Sequence, residues 1–170
     1  MGKLRPLTES DLPLLLDWRN DPAINRYMFN QRPIQLAEHI KWFCRAAQDQ
    51  KYTLLVYENN GAPLGHVNFT EKPDSGIAEW GFYIAPDAPR GTGSGMCTAA
   101  LRMAFLEIKL RKVSAQVLAY NERSLHLHQK LGFQQEGVLR DHHFDGSHYH
   151  SIHCFGLLAH EWQSNSGTQK

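Results

Sequence analysis

Arg90-Gly91-Thr92-Gly93-Ser94-Gly95 lies between the apolar run Trp80-Gly81-Phe82-Tyr83-Ile84-Ala85 and a helical stretch, Met96–Ile108. Glycines at a strand-to-helix turn let the backbone approach a ligand closely, and the helix N-terminus offers unpaired N–H groups with partial positive charge. The stretch reads as a pyrophosphate cradle, with a plain connecting turn as the bland alternative. A phosphate-loop NTPase would close such a turn with Gly-Lys-Ser/Thr, whereas Gly95 is followed by Met96 and Cys97. A dinucleotide site would carry its third glycine two residues later and an acidic residue after the next strand, where Tyr120-Asn121 stands instead.

Outward from the cradle, the strand before it, the helix after it and the strand Val113–Ala119 form a βαβ crossover, which demands parallel pairing. Upstream, Lys3–Leu7 reads as a strand. Thr8 or Ser10 then caps a helix through Leu12, Leu15, Leu16 and Trp18, and Leu36–Ala47 is amphipathic through Leu36, Ile40, Phe43 and Ala47. Tyr52–Glu58, Leu64–Thr70 and Ile77–Ala85 are strands divided by Asn59-Asn60-Gly61 and Pro73-Asp74-Ser75-Gly76. Downstream, a helix Glu122–Leu131 ends at Gly132, and Phe133–Phe144 and His148–Leu158 flank a hairpin turn at Asp145-Gly146. The expected fold is α+β: a mixed, mostly antiparallel twisted sheet with one central parallel step and helices on both faces. It forms a single domain over residues 1–162, with 163–170 as a flexible tail.

The Glu122–Leu131 helix carries an anomaly. At about 100° per residue, with Asn121 at zero, Ser124 and His128 fall at about 300° and 340°, among Leu125, Leu127 and Leu131. A polar stripe on a buried face is costly unless something satisfies it. Helix capping accounts for Asn121 or Ser124 singly; the three together favour a ligand.

Arg90-x-x-Gly93-x-Gly95, with Asn121, Ser124, Leu127, Lys130 and Gly132-Phe133 downstream, resembles the GNAT N-acetyltransferase family. The resemblance implies acetyl-CoA as acetyl donor and no metal. Its cofactor contacts would come from Phe82, Tyr83 and Ile84 on a bulged strand, from Arg90, Gly91, Thr92, Gly93, Ser94, Gly95 and Met96, and from Asn121 and Ser124. The tyrosine that such enzymes use to protonate the departing sulfur is replaced by His128. An imidazole of ordinary pKa about 6.5 can serve a thiol of about 8.5, and a hydrogen-bonding wall residue is the alternative. Glu79, on one strand face with Gly81 and Tyr83, is the candidate base, with His66 as second candidate. Cys97 reads as a packing residue.

Trp18-Arg19-Asn20-Asp21-Pro22, Ile24-Asn25-Arg26-Tyr27-Met28, Glu38-His39-Ile40-Lys41-Trp42-Phe43, Glu136-Gly137 and Glu161-Trp162 are similar to one branch of that family. That branch acetylates the 4-amino group of a UDP-linked dideoxy amino sugar in pseudaminic acid synthesis for flagellin glycosylation. A branch acting on ribosomal-protein N-termini shares part of the pattern, and a CoA-binding module without turnover is the non-enzymatic alternative. A nucleotide sugar asks for aromatic faces and cations, which points to Trp18, Arg19, Asn20, Met28, His66 and His143 as acceptor contacts. For each, core or surface packing is the competing role. The resemblance leaves room for a homodimer, since relatives often pair through sheets or C-terminal strands.

Composition agrees with one core: 170 residues, 42% hydrophobic, 11% aromatic. The formal charge of +1 gives no field for nucleic acid or an anionic membrane. Cys44, Cys97 and Cys154 make no Cys-x-x-Cys spacing, and with no long apolar span the cytoplasm is the expected address. His142, His143, His148, His150 and His153 invite a metal reading. A turn at Asp145-Gly146 would set only His143 opposite His148, too few ligands for a stable site.

Overall fold

A computed structural model describes residues 2–167, with side chains through Ser164. Asn60 (φ 51°) and Gly61 (φ 79°) both take the left-handed conformation of a two-residue hairpin turn. The turn joins β2 (Tyr52–Asn59) to β3 (Ala62–Lys72), and β4 (Ile77–Ile84) follows in continuous antiparallel register. With β1 (Lys3–Pro6), β5 (Lys112–Leu118), β6 (Gln134–Phe144) and β7 (Tyr149–Leu158), these build a seven-stranded sheet ordered β1-β2-β3-β4-β5-β7-β6. The pair β4–β5 is parallel and its other neighbours are antiparallel, as the sequence predicts.

Helices cover both faces. A 3₁₀ turn, Glu9–Asp11, capped by Thr8 and Asp11, leads into α1 (Leu12–Asn20); α2 (Pro22–Asn25) and α3 (Leu36–Ala46) follow. Leu12, Leu15 and Trp18 pack on Val56 and Ala85, with Ile40, Trp42 and Phe43 of α3 at the margin. The opposite face buries Met96, Cys97, Ala100 and Leu101 of α4 (Thr92–Arg102) against Val67, Phe69, Val113 and Leu157. Leucines of α5 (Glu122–Lys130) and Trp162 of α6 (Ala159–Gly167) complete that core.

Four expectations move. Helix α4 begins at Thr92, four residues before the predicted start, because Gly91 (φ 90°) is its N-cap. It closes through a wider π turn, Met103–Glu107, ended by Lys109 at φ 65°. The buried face of α3 is turned from the predicted stripe: His39 and Ala46 are buried, while Leu36 is 43% exposed. In the β6–β7 hairpin the turn sits at Gly146-Ser147, with Asp145 paired to His148. Gly146 supplies φ 102°, and the Asp145 carboxylate accepts the N–H groups of Ser147 and His148. His143 therefore faces His150, where a turn one residue earlier would have set it opposite His148. The tail expected from residue 163 overlaps α6 as far as Gly167, and 168–170 lie outside the described residues. Among the described residues no helix is long and apolar enough to cross a membrane.

Candidate active site

Strands β4 and β5 stay paired only at Ile77–Lys112, Ala78–Val113 and Glu79–Ser114. Beyond Glu79 each strand stays bonded to its outer neighbour, β4 to β3 and β5 to β7, so the two diverge. The gap opens a cleft of about 370 Å³ lined by Trp80–Ile84, Ala115–Leu118, the Asn121, Ser124, Leu127 and His128 side of α5, and Met28 and Phe29 above it.

Ala85 N–H donates to Leu64 O, which fixes the alternation along the ladder. Glu79, Gly81 and Tyr83 turn their main-chain groups to β3; Phe82 and Ile84 turn theirs into the gap. The predicted bulge is absent: β3–β4 register is unbroken, and the free amides arise from loss of the β5 partner. Of the three predicted backbone contacts, Tyr83 is corrected. Its amide serves β3, and its buried hydroxyl approaches Leu15 O at 3.5 Å.

At the other end of the cleft, Thr92 N–H bonds Pro89 O and Gly95 N–H bonds Gly91 O, leaving the amides of Gly93 and Ser94 free at the positive end of α4. Gly93 borders the cleft. A Cβ there would meet only Ile84 Cδ1 at 3.9 Å, whereas at Gly95 it would meet the Tyr57 hydroxyl at 3.0 Å. Gly91 thus serves conformation, Gly95 packing and Gly93 the approach to a ligand. The donor set of free amides, helix dipole and exposed Arg90 fits a diphosphate. Two residues assigned from sequence face inward instead. Thr92 is buried with its hydroxyl on Pro89 O, and Met96 is fully buried with its sulfur against Gly65.

The polar stripe of α5 is satisfied by the chain itself. Asn121 Oδ1 accepts Ser124 N–H at 3.2 Å as the N-cap, Ser124 O accepts His128 Nδ1–H at 2.8 Å, and Trp80 Nε1–H donates to His128 Nε2 at 3.1 Å. His128 is 2% exposed among the rings of Trp80, Phe82, Phe133 and Phe155. Burial holds its pKa below the ordinary value. With Nε2 occupied as acceptor and the only ring proton given to a carbonyl, His128 has no proton for a departing thiolate. The acid role is corrected to that of a wall residue. Trp80, read from sequence only as part of a strand, is the partner that decides this.

A second cleft of about 390 Å³ opens on the α1–α3 side, lined among others by Arg19, Met28, Glu38, His39, Trp42, Arg45, His66, Asn68 and Tyr83. Arg19 is half-buried with no carboxylate partner among the described residues; it bonds Asn30 O, and burial lowers its pKa. Glu38 is bonded to Arg32. His39 stacks on Trp42, and its buried Nε2 has no partner among the described residues. His66 places Nδ1 at 2.9 Å from Leu55 O; a carbonyl only accepts, so Nδ1 bears the proton and Nε2 keeps its lone pair. Glu79 lines the first cleft at the last paired position before the divergence.

Of the predicted acceptor residues, Arg19, Met28 and His66 line this cleft. Trp18 is core, 7% exposed among Leu15, Val56 and Ala85. Asn20 is a clasp whose side chain bonds both the N–H and the O of Ile34. His143 lies outside both clefts, edge-on to Phe29. The residues that sequence reading missed are Trp80, Asn68, His39, Trp42 and Arg45; the odd polar positions on otherwise apolar elements were the available signal. Among the described residues no group of three His, Cys, Asp or Glu side chains converges for a metal ion.

Burial pushes the His66 pKa down from 6.5 to about 4. Between those values the unfolded chain binds the proton and the folded one does not. Stability is therefore full above pH 6.5 and is lost as pH falls toward 4, by about 3 kcal/mol from this group. His39 and His128, also shifted down by burial, act in the same direction. Melting temperatures should be flat above pH 7 and decline below 6.5; a melting temperature unchanged down to pH 4.5 would contradict the buried neutral imidazole.

A cleft between diverging parallel strands, ended by a free helix N-terminus and met by a second cleft from the opposite face, defines an acetyl-CoA-dependent N-acetyltransferase. The chain belongs to the GNAT acetyltransferase family, whose domain model, Acetyltransferase (GNAT) domain, matches residues 3–134. It is 28% identical to Escherichia coli spermidine N(1)-acetyltransferase over 98% of this chain and 90% of that protein. It is 30% identical to the acetyltransferase PseH of Campylobacter jejuni over 78% and 85%. Vibrio cholerae spermidine N-acetyltransferase, crystallised with CoA and spermine, superposes with a TM-score of 0.89 at 24% identity, covering 95% of this chain and 98% of that one.

Proposed function

We propose that this enzyme acetylates the 4-amino group of a UDP-linked dideoxy amino sugar, a step of pseudaminic acid synthesis for flagellin glycosylation in the cytoplasm. The observation that carries this reading is Arg19 of the α1–α3 cleft, a half-buried guanidinium with no carboxylate partner among the described residues. A desolvated cation lacking a counter-ion favours an acceptor that brings its own anion, as a diphosphate does. Arg45 adds charge of the same sign, and the stacked His39 and Trp42 rings offer an aromatic face. A polyamine would need free carboxylates, and Glu38 is already engaged by Arg32. The resemblance to PseH supports the sugar reading, and that to spermidine acetyltransferases supports a polyamine.

In the reaction the thioester carbonyl oxygen would accept the Phe82 amide, the diphosphate would sit on Gly93, Ser94 and Arg90, and the uncharged amine would attack from the α1–α3 side. Glu79 is the proposed base. The exposed edge strand β6 supports pairing of two copies.

Release of CoA thiol, followed with the UDP-amino sugar, spermidine and a ribosomal-type N-terminal peptide, tests the acceptor. The sugar should give the highest kcat/KM. Preference for spermidine or the peptide would replace this reading, and acetyl-CoA binding with no turnover of any amine would leave a binding module. Arg19→Ala should raise the sugar's KM about 10- to 100-fold with acetyl-CoA affinity unchanged. Equal loss of both affinities would show that Arg19 supports the fold and not the acceptor.

A further inference from the structure

The donor and acceptor clefts meet at Met28, Asn68, Gly81, Phe82 and Tyr83, which border both. Of these only Asn68 and Tyr83 have polar side chains, and the Tyr83 hydroxyl is turned to Leu15 O. The Asn68 carboxamide has no hydrogen-bond partner among the described residues, although the residue is half-buried. On β3 it pairs with Gly81 of β4, on the same face as His66, Thr70, Glu79 and Tyr83. A Cβ on Gly81 would stand 3.1 Å from Asn68 Oδ1. The amide thus leans over the one position of β4 that has no side chain, next to the Phe82 amide facing the gap.

An unpaired carboxamide at this junction is a group waiting for a ligand. An attacking primary amine has one lone pair and two N–H bonds. To aim the lone pair at a thioester carbon in the gap, something on the acceptor side must hold an N–H. We propose that Asn68 Oδ1 accepts that N–H and orients the amine, while Gly81 keeps the passage between the clefts open. This rests on the acetyltransferase reading but is independent of which amine is the natural acceptor. As the nitrogen–carbonyl bond forms and the carbon–sulfur bond breaks, the electron pair leaves with sulfur. The surplus amine proton passes to Glu79, and the N–H on Asn68 remains on the amide product.

Three variants test it: Asn68→Leu, which removes both polar atoms, Asn68→Asp, which keeps an acceptor oxygen, and Asn68→Ala. Acetyl-CoA affinity by calorimetry should stay within about twofold in all three. With the amine that wild-type enzyme uses best among the UDP-amino sugar, spermidine and peptide, kcat should fall about 30- to 100-fold in Asn68→Leu and Asn68→Ala. Asn68→Asp should keep most of it. Slow hydrolysis of acetyl-CoA, with water in the amine's place, reads the same contact without any acceptor and should fall about tenfold in Asn68→Leu. Unchanged kcat and hydrolysis in Asn68→Leu, or equal damage in Asn68→Asp, would overturn the assignment. Parallel loss of acetyl-CoA affinity would also overturn it, as a structural role. Failure of the wild type on every amine with acetyl-CoA hydrolysis retained would count against the proposed acceptors alone, and hydrolysis would still judge Asn68; loss of hydrolysis as well would leave the binding module and overturn the assignment.

Discussion

Gly93→Asp should weaken acetyl-CoA binding by about 100-fold or more while leaving the protein at least as stable as wild type. The two halves of this prediction have opposite signs because one feature causes both. Position 93 is in the first turn of α4, where a carboxylate interacts favourably with the helix dipole and replaces a glycine, worth about 0.3–1 kcal/mol from the dipole alone. The same carboxylate would occupy the positive helix end meant for the diphosphate and repel it. Two like charges about 4 Å apart near a protein surface differ by about 4 kcal/mol at an effective dielectric of about 20. Gly93→Ala is the steric control. Its Cβ would meet no protein atom nearer than Ile84 Cδ1 at 3.9 Å, so the fold is kept, and crowding of the diphosphate should cost clearly less affinity than the aspartate does. Calorimetric titration with acetyl-CoA and a thermal melt decide the matter. Wild-type affinity in Gly93→Asp would show that the diphosphate lies elsewhere; equal weakening in Gly93→Ala would make the effect one of space.

Glu79→Gln should lower kcat/KM about 100-fold at neutral pH and move or abolish the limb of the pH profile that reports deprotonation of the base. Glu79 closes the last paired position of β4 and β5, with its side chain exposed into the donor cleft and on the face from which the amine would arrive. Glutamine keeps the shape and loses the proton-accepting charge. Acetyl-CoA affinity should not change, because the diphosphate grip lies at the far end of the cleft. A Glu79→Gln enzyme with the wild-type profile would pass the role to His66, whose Nε2 stays unprotonated above about pH 4.

How far the site was legible differs from residue to residue. Gly91 and Gly93 announced themselves because a strand-to-helix turn and a helix end are local events. The parallel pairing of β4 and β5 followed from the βαβ order. His128 was found as an odd polar residue on an apolar face, but the sequence left its role open between acid and wall residue. Its helix position gives no hint that an indole 48 residues earlier would occupy Nε2. Trp18 and Met96 were misassigned for a related reason: amphipathic side chains look alike in sequence whether they meet a ligand or a neighbouring strand. Asn68 carried the signal of a polar residue on an otherwise apolar strand, but the lack of a partner that distinguishes it shows only in the fold.

The sequence by itself determined the order of elements, the parallel step and the phosphate cradle, because turn conformation, helix polarity and strand alternation depend on residues within a few positions of one another; the cofactor was implied by the family resemblance. The tertiary structure alone decided which polar atoms are spent on each other and which remain for a ligand. Hydrogen-bond satisfaction is settled between strands and helices remote in the chain, and only their packing brings Trp80 to His128 and leaves the Asn68 carboxamide without a partner among the described residues.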